Sequence, residues 1–111
     1  MTKREDKPYQ ETYAPTKPRV EFIVAEEVEP PFRVVIHNDD VTTMEFVVEV
    51  LRQIFELSFE KAEEVMLNAH YTGLAVVGTY PRSDAERRVT HAHLNAQLAG
   101  FPLKFTMEPE G

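Results

Sequence analysis

The chain has 111 residues, enough for one domain with a modest hydrophobic core. Its 42% hydrophobic and 28% charged residues are ordinary for a soluble globular protein. The absence of cysteine excludes disulfides and thiolate metal sites, and the net charge of −7 argues against nucleic-acid binding. Because no apolar run reaches the length of a membrane span and no signal-peptide pattern opens the chain, the sequence predicts a cytoplasmic protein without a membrane partner.

Residues 1–31 have the composition of a flexible N-terminal arm rather than of a folded segment. They contain five of the eight prolines among mixed charges, and their apolar patch is confined to Val20–Val24. Because this small apolar surface cannot offset the loss of chain entropy on folding, we expect the arm to be disordered. Two alternatives remain for the arm: it is an inert tail, or it is a segment that another protein binds.

A strand followed by a polar turn opens the remainder of the chain. Apolar residues alternate with others along residues 32–37, which predicts a half-buried strand. The segment Asn38–Asp40 favours a turn, because short polar side chains hydrogen-bond their own backbone. Thr42 stands three residues before Glu45, the spacing of a capping box at a helix start. An amide, two carboxylates and a helix N-terminus are therefore expected to lie close together.

Two helices are predicted after this turn. Apolar residues recur at helical spacing along Val47–Phe55, and Ser58 is suited to cap a second helix. The apolar positions within Ala62–Ala69 share one face of that second helix, and His70 continues the face by one turn. Gly73 is expected to end the helix, as glycine commonly does.

A short strand and a third helix follow. The strand is predicted over Leu74–Val77, with Gly78 bending its end. Ser83 and Glu86 have the spacing of a second capping box. A stripe of small residues that includes Ala85, Ala92, Ala96 and Ala99, with Val89, predicts a helix that packs closely and closes at Gly100.

A final strand completes the expected fold. Apolar residues alternate along residues 103–108, which predicts another half-buried strand. The element order βααβαβ predicts an α+β domain over residues 32–111, a three-stranded antiparallel sheet covered on one face by three helices. His91 and His93 are two residues apart on the third helix, so they diverge and predict no metal site.

The polar turn is compatible with more than one chemistry. Asp39, Asp40 and His70 can be drawn as an acid–base set with Thr42 as nucleophile, although nothing in the spacing requires it, and this hydrolase is the weaker hypothesis. The same groups suit recognition of a cation, because carboxylates attract positive charge while an amide oxygen or neutral imidazole nitrogen accepts its protons. Composition alone also leaves a plain structural turn open.

Two motifs in this region resemble a known family. Residues 38–47 read Asn-Asp-Asp-x-Thr-x-Met-Glu-Phe-Val, and residues 66–73 read Met-Leu-x-x-His-x-x-Gly, followed by Gly78. In combination they resemble ClpS, the bacterial adaptor that delivers N-degron substrates to the Clp AAA+ protease. The resemblance covers about residues 32–108, and a related module occurs in eukaryotic ubiquitin ligases that read N-termini. It implies a binding protein with no catalytic activity and no cofactor.

The resemblance implies a role for each residue around the turn. Asn38, Asp39 and His70 would bind the free α-amino group of the substrate, and Asp40 would support the turn or the pocket rim. The wall of a pocket for the first side chain would be formed by Thr42, Met44, Val47, Met66, Ala69 and Leu103.

The implied pocket would recognise two features of an N-terminus. An α-amino group has an unperturbed pKa of about 8, so it is mostly protonated at neutral pH. The family binds Leu, Phe, Tyr and Trp as first residues, and burial of a Leu or Phe side chain contributes roughly 1.5–3 kcal/mol. Met44 at the rim is expected to exclude β-branched side chains, and Ala69, where the family often has Val, enlarges the pocket.

The resemblance also implies a partner, an unfoldase hexamer of the ClpA or ClpC kind with ClpP, engaged by a monomeric adaptor. The surface that faces the unfoldase would lie at the start of the third helix, at Ser83, Asp84, Glu86 and Arg88. Ser83 departs from the Glu that the family often has there, and Asp84 is the neighbouring acid. The alternative is an interaction domain like the C-terminal domain of the ribosomal stalk protein, which shares the fold but lacks the Asn-Asp-Asp turn combined with His70.

Overall fold

The computed structural model describes residues 29–111. Its elements are β1 (Pro31–His37), α1 (Met44–Gln53), α2 (Phe59–Thr72), β2 (Leu74–Pro81), α3 (Arg82–Ala99) and β3 (Lys104–Pro109). This order confirms the predicted α+β fold with a βααβαβ arrangement. The disorder predicted for the arm falls on residues 1–28, which lie outside the described residues, and the boundary between arm and core stays a prediction.

The sheet has the order β2-β1-β3, and β1 pairs antiparallel with both neighbours. Val34 faces Gly78 whereas Val35 faces Val76, so Val77 is an extra residue that forms a bulge in β2. The prediction that this strand ends near Gly78 is wrong. Pairing with β1 resumes at Gly78 and continues to Pro81, because the bulge accommodates the extra residue without ending the strand.

The helices enclose the core against the sheet. α3 packs on all three strands, and α2 packs on β2 and α1. Ala85, Ala92 and Ala96 are buried and allow α3 to approach the sheet closely, whereas Ala99 at the end of the predicted stripe is exposed. The largest fully buried side chains are Phe55, Ile36, Leu51, Val34 and Val65. Within residues 29–111, no helix is both long and apolar enough to cross a membrane.

Local chemistry sets several of the element bounds. The Ser58 hydroxyl accepts the Lys61 N–H at 3.1 Å, which confirms the predicted cap of α2. Gly73 ends α2 with a φ of 101°, and Gly100 ends α3 with a φ of 83°. α1 is followed by Glu56 at a φ of 61°, a left-handed conformation that non-glycine residues adopt infrequently.

Both predicted capping boxes are wrong. The N-cap of α1 is Thr43, whose hydroxyl oxygen accepts the Phe46 N–H at 3.2 Å, because the Thr42 hydroxyl is already bonded to Asp39. α3 begins directly after Pro81 without a side-chain cap of its own, since no loop separates it from β2. Ser83 lies inside the first turn of α3 and donates to a residue from before β1, as described below.

Candidate functional site

A cavity of about 220 Å³ opens between the turn after β1, the start of α1, the C-terminal half of α2 and Leu103, which precedes β3. All ten residues predicted from the resemblance for the amine and side-chain sites line this one cavity. They are Asn38, Asp39, Asp40, Thr42, Met44, Val47, Met66, Ala69, His70 and Leu103. A cavity of about 150 Å³ holds benzene, so this volume admits a Leu or Phe side chain.

Asp39 organises the polar end of the cavity. One carboxylate oxygen, Oδ1, accepts the N–H groups of Val41 at 2.8 Å and Thr42 at 2.7 Å. The other oxygen, Oδ2, accepts the Thr42 hydroxyl at 2.9 Å. These three bonds fold the chain back on itself before α1, which explains why the Asn-Asp-Asp segment ends the strand.

The same bonds determine the charge of Asp39. Burial alone raises the pKa of the Asp39 carboxyl, but the hydrogen bonds from the Thr42 N–H, the Val41 N–H and the Thr42 hydroxyl outweigh it and hold the pKa below its usual value. Asp39 is therefore ionised at neutral pH. A carboxylate offers about four lone-pair sites, so three internal bonds leave one acceptor position, on Oδ2, for a cationic donor.

Asn38 and His70 complete the polar end from two different elements. The Asn38 N–H donates to the Gly73 carbonyl oxygen at 3.0 Å, which ties the turn after β1 to the end of α2. His70 lies in the last turn of α2 and is exposed, with its ring edge on Tyr71 at a centroid distance of 5.1 Å. The left-handed Gly73 thus brings the amide and the imidazole to one rim.

The other end of the cavity is apolar. Val47, Met66, Ala69 and Leu103 are buried and belong to the hydrophobic core, so their positions are set by packing. Met44 differs, because it begins α1 and is 45% exposed at the rim. The cavity therefore combines an anionic, hydrogen-bonding mouth with an apolar interior and one flexible thioether side chain at its edge.

The cavity is also lined by Ile36 and His37, which the sequence patterns did not predict as site residues. Both are the last residues of β1, and His37 Nε2 lies 2.8 Å from the Thr106 hydroxyl oxygen of β3. Their position immediately before Asn38 was the available signal, since the end of a strand that leads into a site also borders that site.

The four residues predicted to face the unfoldase lie in the first two turns of α3, away from the cavity lining. Arg88 is turned inward, with its side chain 13% exposed, and donates to the Ile54 carbonyl oxygen at 2.6 Å. It also pairs with Asp84 at 2.9 Å, and Glu86 remains exposed. Their role toward an unfoldase stays a prediction.

Ser83 forms an unexpected contact with the end of the arm. Its N–H donates to Glu29 Oε1 at 3.1 Å, and its hydroxyl donates to Oε2 at 2.8 Å. The Arg82 N–H donates to the Pro30 carbonyl oxygen at 3.0 Å. Glu29 thereby replaces the missing cap of α3, and the Ser83 N–H is the main cause of the lowered pKa of Glu29.

The hydrolase hypothesis assigns Thr42 as the nucleophile of an acid–base set with Asp39, Asp40 and His70. The Thr42 hydroxyl donates to Asp39, and no hydrogen bond among residues 29–111 joins it to His70. In the same part of the chain, no group of three or more His, Asp or Glu side chains is placed to hold a metal ion. His93 serves the fold, because its Nε2 accepts the Phe105 N–H at 2.9 Å.

Comparison with known proteins agrees with this geometry. Residues 27–106 match the family model described as ATP-dependent Clp protease adaptor protein ClpS. The ATP-dependent Clp protease adapter protein ClpS of Desulforapulum autotrophicum is 53% identical over 81 residues, covering 73% of this chain and 78% of the relative. That of Oleidesulfovibrio alaskensis is 43% identical over 95 residues, covering 84% of this chain and 91% of the relative.

A solved structure is similar over the same region. Agrobacterium tumefaciens ClpS2 bound to L-phenylalaninamide has a TM-score of 0.71 and 41% sequence identity, and the similarity covers 74% of this chain and 99% of that one. The matched family model spans most of this chain, and the identity to curated relatives is high. This chain therefore belongs to the ClpS family of Clp protease adaptors and is an adaptor, not an enzyme.

Proposed function

We propose that this adaptor recognises proteins by a free N-terminal α-amino group together with a large hydrophobic first side chain. The observation that carries the proposal is the single cavity whose mouth holds Asn38, Asp39 and His70 and whose interior is apolar. L-phenylalaninamide, the ligand of A. tumefaciens ClpS2, has a free α-amino group and a benzyl side chain. That pair of groups matches the two ends of this cavity.

The polar mouth is suited to a protonated amine. Asp39 contributes a negative charge and the acceptor position on Oδ2, while the Asn38 side-chain oxygen and a neutral His70 nitrogen accept further protons. An ammonium group has three donors, which these three acceptors match in number. Acetylation of the substrate removes both the charge and two of the donors, so the proposed site requires an unmodified N-terminus.

The apolar interior selects the first side chain. Burial of Leu, Phe, Tyr or Trp removes a large apolar surface from water, about 1.5–3 kcal/mol for a Leu or Phe. Ala69 takes little of this volume. Met44 at the rim narrows the entrance close to the substrate backbone, where a β-branched Val or Ile is widest.

Delivery is the second half of the proposal. The adaptor acts as a monomer in the cytoplasm and hands its substrate to a ClpA or ClpC hexamer that works with ClpP. The start of α3, with Ser83, Asp84, Glu86 and Arg88, faces the unfoldase. The arm enters the core beside this surface, where Glu29 meets Ser83. Residues 1–28 would span up to about 95 Å if extended, which is long enough for an unfoldase to engage them.

The binding half is tested by the affinity of peptides that differ only in their first residue. We expect Leu, Phe, Tyr and Trp to bind and Val, Ile and Asp to bind weakly or not at all. Met44→Ala is expected to improve binding of the Val and Ile peptides while Leu and Phe change little. Equal affinity for Leu and Asp peptides would contradict the proposal, and unchanged selectivity in the Met44 variant would place the gate elsewhere.

The delivery half is tested by deletion of residues 1–19. Peptide affinity is expected to remain intact, because the lining residues of the cavity, in the part of the chain that the structure describes, lie between Ile36 and Leu103. Clp-dependent degradation of a Leu-initiated protein is expected to slow. Degradation at the full rate without these residues would show that residues 1–19 take no part in delivery.

A further inference from the structure

An outer row of exposed residues runs along α3, on the side away from its buried alanines. The row consists of Arg87, His91, Leu94 and Leu98, which are spaced by four, three and four residues and therefore lie one above another. Leu94 is 52% exposed and Leu98 is 79% exposed. A shallow depression of about 600 Å³ follows the helix surface from Ser83 to Leu94. Two exposed leucines on one helix face indicate a contact surface.

The arm enters the core at the N-terminal end of this row. The Pro30 carbonyl oxygen accepts the Arg82 N–H, and the Glu29 carboxylate accepts the Ser83 N–H and hydroxyl. Traced backward from Pro30 to Glu29, the arm therefore advances along α3 from Arg82 to Ser83. That is the direction in which Leu94 lies.

The arm carries its apolar patch at a matching distance. Val24 lies five residues before Glu29 and Phe22 lies seven residues before it, about 16 and 23 Å in extended backbone. On α3, the two exposed leucines lie about 16 and 22 Å beyond the contact with Glu29 along the helix axis. Because Val24 and Phe22 are two residues apart, their side chains point to the same side of an extended segment. One apolar side chain of the arm is therefore available for each leucine.

The charges of the two segments are also complementary. Beyond Glu86, α3 contains no Asp or Glu, and the side chain of Arg87 is 69% exposed. Arg87 bonds to Asp84 through Nη2, which leaves other donors of its guanidinium for a second acceptor. The arm carries Glu26 and Glu27 just after its apolar patch. An acidic segment that follows the outer row therefore passes a cation and meets no carboxylate of the row.

We propose that the arm segment Val20–Val24 docks on the outer row of α3 in the same chain, with Val24 at Leu94 and Phe22 at Leu98. The contact holds the arm beside the proposed delivery surface, so a partner that binds there has to displace it. The contact itself lies within one chain and does not depend on the proposed function.

The test is paramagnetic broadening of amide signals in the full chain. The sequence has no cysteine, so Glu21→Cys carries a single nitroxide label next to Phe22. We expect the amides of residues 95–100, at the end of α3, to lose most of their intensity relative to the reduced label. The amides of Glu56 and Leu57, in the loop after α1, are expected to lose little.

This loop is the reference because it lies close to the arm's entry. Arg88 contacts both Asp84 and Glu56, so the loop is near the start of α3, whereas Leu98 lies about 22 Å along the helix from Ser83. An arm that samples all of its surroundings would broaden the loop at least as strongly as the end of α3.

Two variants show whether the outer row causes the broadening. Leu98→Glu, at a position too exposed to support the core, is expected to abolish the broadening at the end of α3. Leu67→Glu is the control, because it makes the same substitution at an exposed leucine of α2 and is expected to retain the broadening.

Three results would overturn the proposal. The first is equal broadening of the loop and the end of α3, and the second is broadening that Leu98→Glu leaves unchanged. The third is broadening of isotope-labelled protein without nitroxide by added nitroxide-labelled protein, which would assign the outer row to a second copy of the chain. None of these measurements uses a peptide or an unfoldase, so a failure here leaves the proposed function untouched.

Discussion

Helices α1 and α3 both begin beside residues with a proposed function, but different parts of the chain hold their starts in place. Before α1, Asp39 accepts from Val41 and Thr42, and Thr43 caps the helix, so the bonds span at most three residues. At α3 the carboxylate that accepts from Ser83 is Glu29, 54 residues earlier in the chain.

The difference separates the proposed recognition site from the proposed delivery surface. The mouth of the cavity is held by short-range bonds and by the tie from Asn38 to Gly73, none of which involves the arm. The start of α3 is bonded to Glu29 and Pro30, the last residues before β1, so the proposed pull of an unfoldase on the arm would reach this contact before the cavity. Changes near Asp39 should therefore alter peptide binding, and changes at Glu29 should leave it intact.

The largest expected effect comes from Asp39→Asn. Asn keeps one oxygen that can accept from the Val41 and Thr42 N–H groups, but it replaces the charged Oδ2 with an amide donor. We expect peptide affinity to weaken by about 1.5–3 kcal/mol, roughly tenfold to more than a hundredfold, with the melting temperature little changed. Calorimetric titration with a Leu-initiated peptide measures this loss.

Asp40→Asn is the matched control for this charge change. Asp40 is exposed at the cavity rim, and it accepts no hydrogen bond within residues 29–111. We expect a clearly smaller loss of affinity. Equal losses in the two variants would reduce the role of Asp39 to general attraction of the positive amine.

Local sequence signals predicted much of the α1 side and little of the α3 side. Periodicity located the helices, and the Asn38–Asp40 turn ended β1 as expected. The cap of α1 was misplaced by one residue, because Thr42 and Thr43 can both cap a helix and only the bond from Thr42 to Asp39 decides between them. Nothing near Ser83 in the sequence points to Glu29.

Residue spacing alone predicted little of the candidate site, whereas the resemblance to a known family predicted most of it. Spacing placed the turn near a helix start, but the grouping of ten residues around one cavity came from the resemblance to ClpS. A larger groove between α1 and α2 had no signal in the sequence, because residues of two helices and the loop between them form it only when they pack together. The left-handed Glu56 was equally hidden, since glycine is the residue that marks such positions.

The next effect is a loss of stability in Gly73→Ala. This variant tests the hydrogen bond from the Asn38 N–H to the Gly73 carbonyl oxygen, which helps to hold the mouth of the cavity. No atom lies within 4 Å of the added Cβ, so the cost is that of the backbone at a φ of 101°, about 1–3 kcal/mol. Chemical denaturation measures it. Because Gly73 is bonded to Asn38, peptide affinity is expected to fall as well.

Gly100→Ala is its control. Gly100 also has a positive φ and open space around it, but its N–H donates to the carbonyl oxygens of Ala96 and Gln97, which do not line the cavity. We expect a comparable loss of stability with unchanged peptide affinity. If both variants lost affinity equally, general destabilisation rather than the tie from Asn38 to Gly73 would account for the effect.

The smallest effect is expected from Glu29→Gln. The folded pKa of Glu29 is lowered from 4.5 by its hydrogen bonds from Ser83, so its stabilisation is complete above that value and is lost as pH falls through the lowered pKa. Denaturation at pH 7 should show a slight loss of stability in the variant. The gap between parent and variant should close below pH 4.5, and a gap independent of pH would exclude the ionised cap.

The proposed function requires this adaptor to bind a free, protonated N-terminus. The most direct measurement is the affinity for one Leu-initiated peptide with its α-amino group free and the same peptide acetylated. Acetylation removes the positive charge that Asp39 attracts while leaving the Leu side chain and all following residues unchanged. We expect the free peptide to bind and the acetylated peptide to show no measurable binding, whereas equal affinity for the two peptides would contradict the proposed function.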